Sequence, residues 1–190
     1  ATSVQGAEIT KEIALGRGAP ILYQSHRVHG GEGVLAVSTH PMVRLDPGDR
    51  ITCSPKMLAL TGPDPIVPGR HLLSYPAMSA DLGAFPGPHG NVDLTRYPEP
   101  GGTEDFVRLI EAPGRALGWT AAVRKSDVVF VLRDATALPV TQLWYSNGGR
   151  QDAPWSGRHT GVLGIEDARV PTGHKAVPDG LALAAGTTHI

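Results

Sequence analysis

The sequence predicts an all-β fold, an antiparallel β-sandwich built from many short strands. The 24 glycines and 17 prolines among the 190 residues are scattered between apolar runs without a low-complexity repeat, which predicts many turns. Apolar runs recur at a spacing of roughly 8 to 12 residues, which is typical of sandwiches and barrels. Long helical periodicity is scarce, so we do not expect helices to form the core.

Length and charge restrict the classes of protein. A chain of 190 residues can bury a real core, and we expect one domain over residues 1–190. Lys and Arg number 17 against 18 Asp and Glu, which argues against the broad positive field that nucleic acid or an acidic membrane requires. We therefore expect no nucleic-acid or membrane partner.

Cysteine usage and hydropathy indicate the compartment in which the protein is expected to occur. The single cysteine, Cys53, excludes an intrachain disulfide and a cysteine-rich zinc site, and we expect it to pack in the core. No apolar run is long enough for a membrane span, and residues 1–13 lack the pattern of a signal peptide. We therefore expect a soluble, cytoplasmic protein.

Short strands and glycine turns alternate in the first half of the chain. The turn Gly16-Arg17-Gly18 predicts a hairpin, and the turn Asp46-Pro47-Gly48-Asp49 predicts the start of another strand. His26 and His29 lie in an extended segment, where a spacing of three does not bring them to one face, so we do not expect them to bind a metal. The predicted strands are Ile9–Leu15, Ala19–Gln24 continuing through Ser25–His29, Val34–Val37, Arg50–Cys53 and Gly69–Tyr75.

The second half continues the same pattern. Thr103–Ile110 has two interpretations, a short helix capped by Thr103 or a strand, and we favour the strand. The other predicted strands are Leu117–Val123, Val128–Leu132, Thr141–Tyr145 and Thr160–Ile165.

The stretch Leu143–Val170 concentrates side chains that can do chemistry. We predict a strand that ends at Tyr145, a loop, and a second strand that delivers Glu166 at its far end. A flat aromatic ring beside forked donors, an imidazole and a carboxylate suits a polar, ring-shaped ligand such as a sugar. In the alternative interpretation, Trp155 only packs and the arginines are solvated. The residues concerned are Trp144, Arg150, Trp155, Arg158, His159, Glu166 and Asp167.

Two further candidates lie outside this stretch. His40 directly precedes Pro41, which enforces an extended backbone and gives the imidazole a fixed direction. It is either a core histidine bonded to a backbone group or a general acid. Asp81 lies in a Gly- and Pro-rich stretch and either reaches a site or belongs to a surface loop.

With these residues in hand, the chain resembles the aldose 1-epimerase (galactose mutarotase) superfamily, in particular its divergent bacterial members. The resemblance covers most of the chain, and its C-terminal motif is the more specific one. The segment Thr39–Leu45 is similar to the family's His-x-Tyr-Phe-Asn-Leu segment, and Leu163–Glu166 is similar to its Leu-Glu segment. The motifs that carry the resemblance are Leu22-Tyr23 with His29–Gly33, Thr39–Leu45, Ser146–Arg150 with Ala153–His159, and Leu163–Glu166.

The resemblance implies a β supersandwich that binds a hexose in a shallow groove and interconverts its α and β anomers. It implies that His40 is the general acid that protonates the ring oxygen and that Glu166 is the general base that removes the C1 hydroxyl proton. Arg150, Trp155, Arg158 and His159 are the expected sugar-binding residues, and Asp81 is the candidate counterpart of the family's ligand-binding aspartate. The reaction needs two proton relays, no cofactor and no metal.

The chain departs from the family in three respects, the first being that the family's ligand-binding aspartate has no clear match beyond the candidate Asp81. Met42-Val43-Arg44 replaces the aromatic and asparagine part of the histidine motif. Complete members are longer, and their first half supplies an arginine and a second histidine to the site. We therefore expect a fragment that holds the later part of the domain.

Two alternatives stand beside the isomerase. One is a carbohydrate-binding domain on the same scaffold that lacks turnover, and the other is a structural or interaction domain that binds no sugar. For the isomerase, we expect His40 and Glu166 to face a common cavity, separated by roughly the width of a sugar and each about 3 Å from a substrate atom. Direct contact between the two side chains is the expectation for a structural pair.

Overall fold

The fold is known from a computed structural model that describes residues 2–175 and 177–190. All regular elements of the described residues are strands, and the sheets are built from antiparallel strand pairs. The prediction of an all-β, antiparallel fold is therefore confirmed. The strands are β1 (Thr2–Val4), β2 (Ala7–Leu15), β3 (Leu22–Gly30), β4 (Val34–Leu35), β5 (Val37–Ser38), β6 (Met42–Arg44), β7 (Arg50–Cys53), β8 (Lys56–Leu60), β9 (Met78–Ser79), β10 (Thr103–Glu111), β11 (Leu117–Val123), β12 (Val128–Asp134), β13 (Val140–Asn147), β14 (Val162–Arg169), β15 (Leu181–Ala182) and β16 (Thr187–His189).

The chain groups into two compact units, and the prediction of one domain stays a prediction. The first unit comprises 1–37 and 169–190, and the second comprises 38–168. In the first unit, β1, β2, β3 and β16 form a four-stranded sheet, and β15 pairs with β4. Most of β2 and the start of β3 are exposed on both faces, including Leu15 and Tyr23.

The second unit is a sandwich of two sheets. The large sheet has the order β5-β14-β13-β10-β8-β9, with β6 also paired to β14, and the small sheet has the order β12-β11-β7. Apolar residues that alternate along the strands pack into the core, as expected for one buried sheet face. The fully or nearly buried core members include Val43, Ile51, Val107, Leu109, Ala122, Leu143, Tyr145, Leu163 and Ile165. Cys53 is partly buried and packs against this core, as predicted.

The same alternation turns another set of side chains to the opposite face, called here the outer face of the large sheet. Because side chains alternate along a strand, the neighbours of the core residues point away from the core. On β13, Gln142 and Trp144 point to the outer face. They alternate with Thr141, Leu143 and Tyr145 on the core side. The outer face is where the candidate site lies.

Several predicted strand bounds are wrong. Gly69–Tyr75 forms turns and bends and no strand, and Lys56–Leu60 is a strand that the sequence interpretation missed. The strand predicted to begin at Ala19 begins at Leu22. The last strand of the sandwich is displaced as well: β14 runs to Arg169, so Glu166 lies inside it and not at its far end.

Candidate functional site

Register places His40 beside Glu166. The backbone amide of Thr39 donates to the carbonyl of Asp167 at 2.9 Å, and the amide of Ile165 donates to the carbonyl of Pro41 at 3.0 Å. The segment before β6 therefore runs alongside β14 in the register that pairs Met42 with Gly164. In that register residue 40 lies opposite residue 166, so two side chains distant in sequence meet on one face.

The two predicted catalytic side chains are in direct contact. His40 Nε2 lies 3.6 Å from Glu166 Oε1. The predicted separation by the width of a sugar is therefore wrong, because cross-strand neighbours on one face are held within a few ångströms of each other. Both side chains lie on the same side of the sheet, and the common cavity expected for them stays a prediction.

Burial differs strongly between the two partners. The Glu166 side chain is 8% exposed, whereas the His40 side chain is 58% exposed. Burial raises the pKa of the Glu166 carboxyl, and the charge of His40 and a hydrogen bond from Gln142 offset only part of this effect. Glu166 Oε1 is buried and accepts no hydrogen bond from the described residues. The pair thus combines a carboxylate oxygen without a donor with an accessible imidazole.

Trp144 is the centre of the site. Its ring stacks on Phe106 with a centroid separation of 5.5 Å, and His40 meets it edge-on at 5.8 Å. Its Nε1 donates to Glu104 Oε1 at 2.6 Å. Since Glu104 is fully buried and Phe106 covers one indole face, Trp144 is held rigidly as the floor between His40 and the following loop.

The loop between β13 and β14 folds back over this floor. The amide of Gly148 donates to the carbonyl of His159 at 2.8 Å, and the amide of Gly157 donates to the carbonyl of Arg150 at 2.7 Å. Gly149 lies so close to β10 that a Cβ there would stand 2.6 Å from the Cβ of Glu104. Glycine is therefore required at this point if the loop is to reach the outer face.

Three of the predicted sugar-binding residues reach the site on this loop. The guanidinium of Arg150 lies between two indoles, 5.2 Å from the Trp144 centroid and 4.3 Å from the Trp155 centroid. The His159 ring lies 5.4 Å from that of Trp144, and its Nδ1 is 2.7 Å from Ser146 Oγ. Arg150 occupies one face of Trp155, so any ligand must use the other face or displace the guanidinium.

The other two predicted binding residues have local partners instead. Arg158 is exposed and donates to the carbonyl of Pro154 at 3.3 Å. Asp81 accepts from the amide of Gly83 at 2.8 Å in an exposed turn. For the described residues, no contact joins either side chain to His40, Glu166 or Trp144.

Three residues of the site were missed by sequence reasoning, namely Gln142, Arg108 and Glu104, whereas Trp144 was named in the stretch Leu143–Val170 without its position as the floor. Gln142 and Trp144 alternate with core residues on β13, and that alternation was the available signal. Arg108 and Glu104 join them because β10 pairs with β13 in a register that local sequence does not encode.

A cavity of about 290 Å³ lies elsewhere, on the core side of the large sheet. Asp105 and Tyr145 are among its lining residues, and none of the predicted site residues is. Among the described residues, no group of three or more His, Cys, Asp or Glu side chains is arranged to hold a metal ion. No helix in that part of the chain is long and apolar enough to cross a membrane.

Comparison of the chain with protein-family models, with curated proteins and with solved structures gives no match.

Proposed function

We propose that the outer face of the large sheet interconverts the α and β anomers of a hexose, with His40 as general acid and Glu166 as general base. The observation that carries the proposal is the 3.6 Å approach of His40 Nε2 to Glu166 Oε1 beside an aromatic floor. The similarity of Thr39–Leu45 and Leu163–Glu166 to the aldose 1-epimerase motifs supports it.

Although direct contact was the expectation for a structural pair, the 3.6 Å approach is also compatible with this reaction. The ring oxygen and the anomeric hydroxyl oxygen of a hexose are both bonded to C1, so an acid and a base that serve them must stand side by side. Each needs to reach its oxygen at about 3 Å. A pair in contact before sugar binds has to open only enough to admit those two oxygens.

The bond changes follow from the two roles. Ionised Glu166 takes the C1 hydroxyl proton, the O–H electrons form the C1=O bond, and the C1–ring-oxygen pair leaves onto the ring oxygen. Protonated His40 supplies the proton to that oxygen and the open-chain aldehyde results. Rotation about C1–C2 and closure by the reverse steps give the other anomer and restore both side chains.

The same contact favours a second candidate, a carbohydrate-binding domain without turnover. If His40 and Glu166 satisfy each other as an ion pair, they organise the site and transfer no proton to sugar. Arg150 and the free face of Trp155 then supply the binding energy.

Anomeric equilibration tests the proposal. Freshly dissolved α-glucose and α-galactose are followed by polarimetry with the native chain, with Glu166→Gln and with Glu12→Gln, a matched change at an exposed position on β2. Acceleration that falls by about 10² to 10⁴ in Glu166→Gln and persists in Glu12→Gln supports the isomerase. Sugar binding without acceleration supports the binding domain, and no binding at millimolar sugar contradicts both.

A further inference from the structure

A row of polar side chains crosses the outer face directly behind Glu166. Strand pairing places Arg108 of β10 opposite Gln142 of β13, and Gln142 opposite Glu166 of β14. Arg108 Nε donates to Gln142 Oε1 at 3.0 Å, and Gln142 Nε2 donates to Glu166 Oε2 at 3.3 Å. With His40 beyond Glu166, the row spans four adjacent chain segments.

The chemistry of the row permits one orientation of the central amide. A guanidinium has only donors, so the amide group that faces Arg108 has to be the oxygen. An ionised carboxylate has only acceptors, so the amide group that faces Glu166 has to be the nitrogen. Arg108 therefore selects the orientation in which Gln142 stabilises the ionised form of Glu166.

The two carboxylate oxygens of Glu166 have different surroundings in this row. Oε2 is held by Gln142, while Oε1 is buried, has no hydrogen-bond donor among the described residues and faces His40. A carboxylate held by one oxygen presents the other in a fixed direction. That is the arrangement a positioned proton acceptor requires.

We propose that Arg108 is a positioning residue that acts through Gln142 to hold Glu166 ionised and aimed at its substrate proton. The role of Glu166 as base rests on the proposed function, whereas the coupling of Arg108 to Glu166 through Gln142 does not.

Another charged group on the outer face provides a control for the loss of a positive charge. Among the described residues, the charged or titratable groups on the outer face include His40 before β6, Arg44 on β6, Glu104 and Arg108 on β10, and Arg150 and His159 on the loop between β13 and β14. Arg44 lies opposite Val162 on β14, two residues from Gly164. It is exposed, so Arg44→Met removes the same charge from the same face without touching Gln142.

Titration of the Glu166 carboxyl by NMR in the intact chain tests the coupling without any sugar. The variants are Arg108→Met, Gln142→Met, the double variant and Arg44→Met. We expect each of the first two to raise the pKa of Glu166, with the acid dissociation constant falling about threefold to tenfold, the range of one hydrogen bond. In the Gln142→Met background, Arg108→Met should change nothing further, and Arg44→Met should leave Glu166 close to native.

Equal effects of Arg108→Met in the native and Gln142→Met backgrounds overturn the proposal, since the charge then acts through space. No effect of Arg108→Met on Glu166 overturns it as well. Should Gln142→Met fail to fold, Gln142→Asn serves, because its shorter amide cannot span from Arg108 to Glu166.

Kinetics separate this inference from the proposed function. If anomeric equilibration is catalysed, Arg108→Met should lower kcat about threefold to tenfold with KM little changed, since it alters the base and no sugar contact. A rise in KM with kcat unchanged would overturn the positioning role. If no catalysis is found, the proposed function fails while the titration cycle still decides the coupling.

Discussion

Glu166 governs the expected pH dependence of the proposed reaction. Only the ionised carboxylate can accept the sugar proton, and burial raises the pKa of Glu166. As pH falls, the base is therefore lost at a higher pH than an exposed carboxyl would be, and activity falls with it. A profile of kcat/KM against pH checks this, and an acid limb at the position of an ordinary glutamate would contradict it.

Gly164 leaves a space on the outer face beside both Glu166 and Trp144. A Cβ at residue 164 would stand 3.1 Å from Glu166 Oε1, 3.1 Å from Trp144 Cβ and 3.3 Å from Met42 Sδ. These contacts are tight enough that a neighbour must shift, and the free carboxylate oxygen is among the three. The glycine thus keeps the outer face open beside Glu166 and Trp144.

Gly164→Ala should disturb the site more than the fold. We expect a stability loss of about 1 to 3 kcal/mol from overpacking and a loss of at least tenfold in turnover from displacement of Glu166. Denaturant unfolding and the equilibration assay measure the two effects. The control is Gly62→Ala, where an added Cβ meets no atom within 4 Å; equal effects at both positions would refute the explanation.

At the scale of elements, a buried ion network joins the two sheets of the sandwich. Glu111 of β10 pairs with Lys56 of β8 at 2.6 Å and with Arg133 of β12, and Arg133 also reaches Asp167 of β14 at 3.1 Å. All four side chains are at most 4% exposed. Gly118 of β11 leaves the room that the guanidinium occupies, since a Cβ there would lie 2.6 Å from Arg133 Cζ.

Arg133→Met should be strongly destabilising. It leaves Glu111 and Asp167 buried with less compensating charge, and breaking a buried pair in this way costs about 3 to 5 kcal/mol. Arg124→Met is the matched control, because the Arg124–Asp127 pair is exposed by 32% and 50% and should lose about 1 kcal/mol or less. Urea unfolding compares the two, and losses of similar size would show that the network contributes little.

Strand prediction succeeded where local signals are strong. Arg50–Cys53, Leu117–Val123 and the strand interpretation of Thr103–Ile110 agree with the structure to within a residue, because alternation and flanking turns are local properties. Gly69–Tyr75 failed because Leu72 and Leu73 direct their backbone amides to the side chain of Asp105 on a distant strand. No local sequence pattern identifies Asp105 as the hydrogen-bond partner of these two amides.

At the scale of the whole molecule, the two units differ in how much they bury. The residues of the core cluster all fall within 38–168, whereas β2 in the other unit is mostly exposed. Strands with few buried apolar contacts open at lower free energy, so local stability should be uneven along the chain.

Amide hydrogen exchange of the intact chain measures that difference. We expect the amides of β10 and β13 to be the most protected, and those of β2 and the start of β3 to exchange at least tenfold faster under the same conditions. The reason is that opening the exposed hairpin exposes little apolar surface. Equal protection of β2 and β13 would mean that the chain opens as one cooperative unit.

The sequence alone determined the all-β class, the many turns and the chemical identity of His40, Glu166, Arg150, Trp155 and His159 as candidates, since all of these follow from residue type and local spacing. Tertiary structure decided which of them meet. A slip of one residue in the pairing of β14 would turn the Glu166 side chain into the core. The observed register is set by Thr39, Pro41 and the pairing with β13. That register aligns Glu166 with His40 and with the Gln142–Arg108 row. Register depends on contacts between residues far apart in the chain, so no local pattern specifies it.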